Sequence, residues 1–114
     1  MGFKRVTIKR VCTLTKQPAT VQLTTFRPDG ETVKLDAAGV LVNNPFGLRL
    51  VCNESPYRHG VYEVTESETG GTLASSDSPA HVIYSVNSRI DQVGVDVYRA
   101  TVERAIARQR ELAQ

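Results

Sequence analysis

Over most of the chain the apolar residues alternate with polar ones, the period of a half-buried strand. Val6, Ile8, Cys12 and Leu14 share one parity, which predicts a long strand from Phe3 to Leu14. Arg10 interrupts that parity, as at a bulge or on an edge strand whose basic residue reaches solvent. Lys16-Gln17-Pro18 then breaks the chain, and a second strand runs from Thr20 to Phe26. Arg27-Pro28-Asp29-Gly30 has proline second and glycine fourth, the signature of a type I turn. With Glu31 to Leu35 returning as the partner, residues 20–35 form the best-defined hairpin.

Val40 to Val42 is a short apolar strand ending at Asn43-Asn44-Pro45. Phe46, Leu48, Leu50 and Cys52 alternate with Gly47, Arg49 and Asn53 and predict the next strand. A loop, Ser55-Pro56-Tyr57-Arg58-His59-Gly60, leads into an extended Val61 to Glu66. Gly70-Gly71 marks a tight turn, Ser75 to Pro79 a polar loop, and His81 to Val86 a further strand.

The pattern changes near Ser88, where Ser88 and Asp91 have the spacing of a capping box and no proline intervenes before Leu112. A helix over 88–112 would run about 37 Å. Its apolar positions lie on two lines. Ile90, Val93, Val97 and Thr101 form one; Val95, Tyr98, Val102, Ala105, Gln109 and Leu112 form another, rotated by roughly 100°. Either one broad face wraps along the sheet, or Val93 to Val97 is extended and the helix starts late, or the first line packs on the sheet and the heptad-like second line meets another subunit.

These elements describe a single α+β domain over residues 1–114, strand-rich over 3–86. The expected fold is a twisted antiparallel sheet or partly open barrel of about six or seven strands against one long C-terminal helix. Val6, Ile8, Leu23, Leu35, Leu48, Leu50, Val64 and Val82 are the expected apolar face beneath the helix.

Composition changes this picture little. The chain has 114 residues with 40% hydrophobic and 23% charged, the balance of an ordinary folded domain. No apolar run reaches the roughly 18 residues of a membrane span, and the N-terminus, alternating basic and apolar, does not read as a secretory signal. A cytoplasmic location without membrane contact is the expectation.

The net charge of +2 conceals a division. Residues 1–28 hold Lys4, Arg5, Lys9, Arg10, Lys16 and Arg27 and no acid, residues 29–98 carry a net −6, and residues 99–114 a net +2. A basic opening segment of this kind meets something anionic, either a partner or the acidic middle of the same chain.

Little catalytic chemistry is visible. Tyr57, Arg58 and His59 sit on a loop, where His could exchange protons and Arg could hold a carboxylate or phosphate, but no second group is placed to work with them. They read as a partner or ligand contact, with no catalytic residue assigned. Cys12, Cys52, His59 and His81 have metal-ligand chemistry without metal-motif spacing, so no metal and no cofactor is expected. Cys12 and Cys52 read as buried free thiols, a bridge between neighbouring strands being the lesser alternative. Ser75, Ser76, Asp77 and His81 contain the parts of a hydrolytic triad without a nucleophile elbow.

Nucleic acid is a rival partner: Lys4, Arg5, Lys9 and Arg10 would line one strand of a curved sheet, with Arg104 and Arg108 a second basic spot. Only Phe3 is at hand there for base stacking. The reading that accommodates the oddities best is a small non-enzymatic interaction or adaptor module. It would self-associate through a helical seam of Val95, Tyr98, Val102, Ala105 and Leu112, or through a sheet edge. A nucleic-acid-binding module and a ligand-binding or enzymatic domain built on the Tyr57–His59 loop are the alternatives.

Overall fold

A computed structural model describes residues 9–26 and 28–112. Five strands precede two helices: β1 (Thr13–Phe26), β2 (Thr32–Asn43), β3 (Leu50–Glu54), β4 (Tyr62–Glu66), β5 (Thr72–Ser76), α1 (Pro79–Val93) and α2 (Val95–Leu112). The strands form one open antiparallel sheet in chain order, β1-β2-β3-β4-β5. The fold is α+β, with five strands in place of the expected six or seven and two helices in place of one.

The hairpin over 20–35 forms, with Leu23 opposite Leu35 and Phe26 opposite Thr32. It is part of something longer. Lys16-Gln17-Pro18 does not end the strand, because β1 runs through it as a bulge between Leu14 and Pro18. Pro18 has no N–H to give the ladder, and an edge strand tolerates the irregularity. The Thr15 hydroxyl there donates to the Leu41 carbonyl (2.8 Å). The expected strands at 31–35 and 40–42 likewise merge into β2. The strand expected over Phe3–Leu14 starts only at Thr13. Lys9 to Cys12 are irregular, and Phe3 to Ile8 lie outside the described residues.

The merged β2 is possible because of Gly39. A Cβ on this residue would lie 2.1 Å from the Cys52 carbonyl oxygen, so only glycine lets β2 approach β3 this closely. From Thr32 to Ala38, β2 pairs with β1 alone; from Gly39 to Val42 it also pairs with β3. On this face Val51 of β3 packs over Gly39 and joins Val21, Leu23 and Ala37 of the outer hairpin in a cluster of their own. The Arg49 guanidinium links β1 to the end of β4, donating to the Thr20 carbonyl (3.0 Å) and to the Ser67 hydroxyl (2.9 Å).

The other face of the sheet carries the helices. Val42, Leu50, Cys52 and Val64 meet Val82, Val86 and Ile90 of α1 and Tyr98, Val102 and Ile106 of α2. Full burial of each large aliphatic side chain contributes about 1.5–3 kcal/mol. Central β3 is therefore covered on both sides, and its Leu50, Val51, Cys52 and Asn53 are all buried. Buried Asn53 accepts from the Thr65 hydroxyl (2.8 Å) and donates to the Glu54 carbonyl (3.1 Å). Asn44 to Arg49, expected to open a strand, form a loop held by the Asn44 amide. It donates to Leu48 O and accepts from Phe46 N–H, seating Phe46 in the core against Tyr98.

Residues 81–86, expected as a strand, belong to α1. The Ser78 side chain accepts from His81 N–H (3.1 Å), and Pro79 takes the first turn, where its missing donor costs nothing. Val82, Val86 and Ile90 are spaced by four and share one buried face. Ser88 and Asp91 are thus mid-helical and cap nothing. The helix stops at Gly94, whose φ of 89° and ψ of 150° lie in a region open essentially to glycine alone. Its N–H closes α1 on Ile90 O, and its carbonyl accepts from Tyr98 N–H to start α2. The single 88–112 helix is corrected to two helices with this joint between them.

Candidate functional site

The expected contact residues sit on the β3–β4 connection. Ser55 is buried, and its hydroxyl accepts from Tyr57 N–H (3.2 Å) and Arg58 N–H (3.3 Å), which forces the chain to turn. The Glu54 carboxylate accepts from Gly60 N–H and lies 3.2 Å from His59 Nδ1. The loop is thereby well tied. Tyr57, Arg58 and His59 all point to solvent, with the His59 side chain fully exposed, and none of them lines either of the two grooves described below.

Lys9 and Arg10 are exposed ahead of β1, while Lys4 and Arg5 lie outside the described residues. Arg10 borders a groove of about 590 Å³ between the start of β1 and α1, with Leu14, Ile83 and Tyr84. At its floor the Asn87 amide clamps the backbone of Cys12, accepting from its N–H (2.7 Å) and donating to its carbonyl (2.9 Å). Both cysteines are free and buried, and burial pushes their thiols up to about 11. Among the described residues no three His, Cys, Asp or Glu side chains gather as metal ligands would.

His81 and Asp77 do come together, Nδ1 to Oδ1 at 2.5 Å, because they are four apart across the start of α1. The hydrogen bond to His81, and then its charge, hold the Asp77 carboxyl below its ordinary value. The Ser76 hydroxyl donates to that same carboxylate (3.4 Å). A hydrolytic relay runs Ser to His to Asp; here the serine meets the acid, and the group is exposed.

The expected helical seam divides. Tyr98 and Val102 turn into the chain's own core together with Ile106, and Val95 is half-buried. Ala105 stays at the surface, and the Leu112 side chain is outside the described ones. The other line behaves in the opposite way: Ile90 is buried, whereas Val97 is 55% exposed and Thr101 is exposed. Gly94 is the reason, because a break between the helices lets each choose its own buried face.

What remains outside is one wall of the larger groove, of about 720 Å³, open along one side. Val97, Thr101 and Ala105 of α2, spaced by four, form that wall with Arg108 beyond them. Thr101 returns its hydroxyl to the Val97 carbonyl (2.9 Å), the local bond of a helical threonine, and accepts a long hydrogen bond from the Arg104 guanidinium (3.5 Å). Arg89 and Val93 of α1 line the groove from one side, and Thr72 and Leu73 of β5 from the other.

Glu66 sets the position of the β4–β5 turn at the groove's edge. It is buried, and its carboxylate accepts from Glu68 N–H (2.7 Å), Thr69 N–H (2.9 Å) and the Thr69 hydroxyl (2.7 Å). This acid is fully used by the turn. Glu68 in turn receives Arg110 Nε at 2.6 Å, tying the last turn of α2 to the sheet. The apolar lining lowers the energy of an apolar occupant, and the surrounding arginines favour a negative one.

Leu73, Arg89 and Ile106 of this groove were not marked as site residues by the sequence pattern. Ile106 stands four after Val102 and was recoverable from that spacing. Leu73 belongs to a strand with only one fairly large apolar residue in Thr72–Ser76, too little for a period to show. No family model, curated protein or solved structure matches the chain.

Proposed function

We propose that the protein is a small non-enzymatic interaction module that docks a partner protein in the groove between α2 and β5. The observation that carries this reading is Val97: a large apolar side chain left more than half exposed, in line with Thr101 and Ala105, along a groove of about 720 Å³. Apolar grooves beside a helix are a recurrent way of binding a peptide or helix. Self-association through α2 is one form of the same reading, with a second copy as the partner.

The test compares wild type with Val97→Asp and with Tyr84→Asp, which places the same charge on an exposed residue of the other groove. Proteins retained from the native host, a second copy included, are purified and their binding measured directly. A partner bound with similar affinity by wild type and Tyr84→Asp but lost by Val97→Asp is expected. Direct binding indifferent to Val97 would refute the assignment of the groove, and sedimentation of the purified chain reports whether the partner is itself.

A further inference from the structure

We infer that the occupant of this groove is an amphipathic helix with an acidic flank, whose apolar face lies along Val97, Thr101 and Ala105 and whose carboxylates meet Arg89 and Arg108. The inference rests on the groove being the contact surface and adds the chemistry of what enters it.

Charge is the first argument. All twelve side-chain carboxylates of the chain lie within the described residues, and none forms an ion pair with Arg89 or Arg108. Arg110, two residues further on, is paired with Glu68. The one acid lining the groove, Glu66, is already held by three donors of its own turn. Among the described residues, then, two guanidinium groups border an apolar surface without an ion-pair partner, Arg89 reaching only the neutral Gln92 side chain (3.4 Å), and their planar forks suit carboxylates.

Shape is the second argument. From Val97 to Arg108 the wall extends about 16 Å at 1.5 Å per residue, the length of three helical turns. Its open side suits a helix that buries one face and keeps the other in water, whereas a small-molecule site encloses most of its ligand. A second copy is a poorer match: presenting the same α2 wall, it brings Arg104 and Arg108 toward Arg89 and Arg108, and like charges at a contact oppose association.

The experiment titrates the purified, isotope-labelled chain with two synthetic helical peptides carrying the same leucine face, one with glutamates on its flank and the other with lysines. The glutamate peptide is expected to shift the amide signals of Val97, Thr101, Ala105 and Leu73 and to bind at least about tenfold more tightly at low salt. Arg89→Gln with Arg108→Gln should remove that preference while leaving residual binding, and Val97→Asp should weaken both peptides. Equal binding of the two peptides at the groove overturns the acidic partner and leaves the docking surface standing. Shifts confined to another surface overturn both. Tighter occupation by dodecanoate than by the glutamate peptide overturns the choice of a protein helix.

Discussion

The Asn87 clamp makes the most demanding stability prediction, because one side chain joins α1 to the chain entering β1 across 75 residues of sequence. Asn87→Ala removes two buried hydrogen bonds, of 2.7 and 2.9 Å, and leaves the Cys12 N–H and carbonyl facing an apolar neighbourhood. Cys12 is fully buried and Asn87 nearly so, and water reaches the freed groups only from the groove above them, replacing the lost partners in part. A buried group left unpaired costs about 1–3 kcal/mol, so two cost about 2–6 kcal/mol, and partial hydration from the groove brings the expected loss to about 2–4 kcal/mol, a substantial part of the roughly 5–15 kcal/mol that stabilises such a domain. The assay is urea unfolding followed by circular dichroism, with the loss read from the midpoint at unchanged slope. A second readout is the rate at which the Cys12 thiol reacts with a disulfide reagent in a Cys52→Ala background, expected to rise as the clamp opens. A loss below about 1 kcal/mol together with an unchanged thiol rate would show that the amide merely accompanies the packing of α1 and does not hold the segment.

Two further predictions concern the core. Gly39→Ala is expected to cost about 3 kcal/mol in urea unfolding, since its Cβ must push the Cys52 backbone away from β2; a neutral result would mean that the pairing of β2 with β3 does not depend on this approach. Stability should also fall at high pH. The thiols of Cys12 and Cys52 are raised by burial from 9.0 to about 11, and the Tyr98 phenol to about 12. Their protonated forms are favoured by the folded state, so this stabilisation is whole below pH 9 and is lost as pH rises through 11. Urea midpoints taken across that interval should decline, and the decline should shrink in Cys12→Ala and Cys52→Ala variants.

Much of the local architecture was present in the order of the residues. Alternation found the Thr20–Leu35 hairpin, because a strand with one covered face must repeat every second residue; the extended Val61–Glu66 segment was also found, although β4 is buried on both faces from Glu63 to Glu66. The class, a strand-rich domain closed by helix, followed from the change of period near the end of the chain. The reading failed where two periods fit the same residues. Val82, Tyr84 and Val86 alternate like a strand, yet Val82, Val86 and Ile90 also repeat every four. Ser78-Pro79, a capping residue before a proline at the first helical turn, was the local signal that decided between them.

The candidate site was less accessible. Val93 and Val97 lie on one line of a continuous helix, but Gly94 ends that helix, and the turn of α2 against the sheet buries Tyr98, Val102 and Ile106 in place of Val97. Spacing along a helix tells which residues share a line; which line is covered depends on the surface that the rest of the chain supplies.

Sequence by itself determined the α+β class, the principal hairpin, the burial of both cysteines and the turn at Gly70-Gly71, but neither the passage of β1 through Pro18 nor the joint at Gly94. All are consequences of local backbone preference and of a single period. Tertiary structure alone decided that β2 closes on Cys52 at Gly39, that Asn87 grips Cys12 and that Arg89 and Arg108 border one apolar groove. Those facts join residues from 13 to 75 positions apart, and their free energy comes from contacts that exist only once the sheet and both helices are in place.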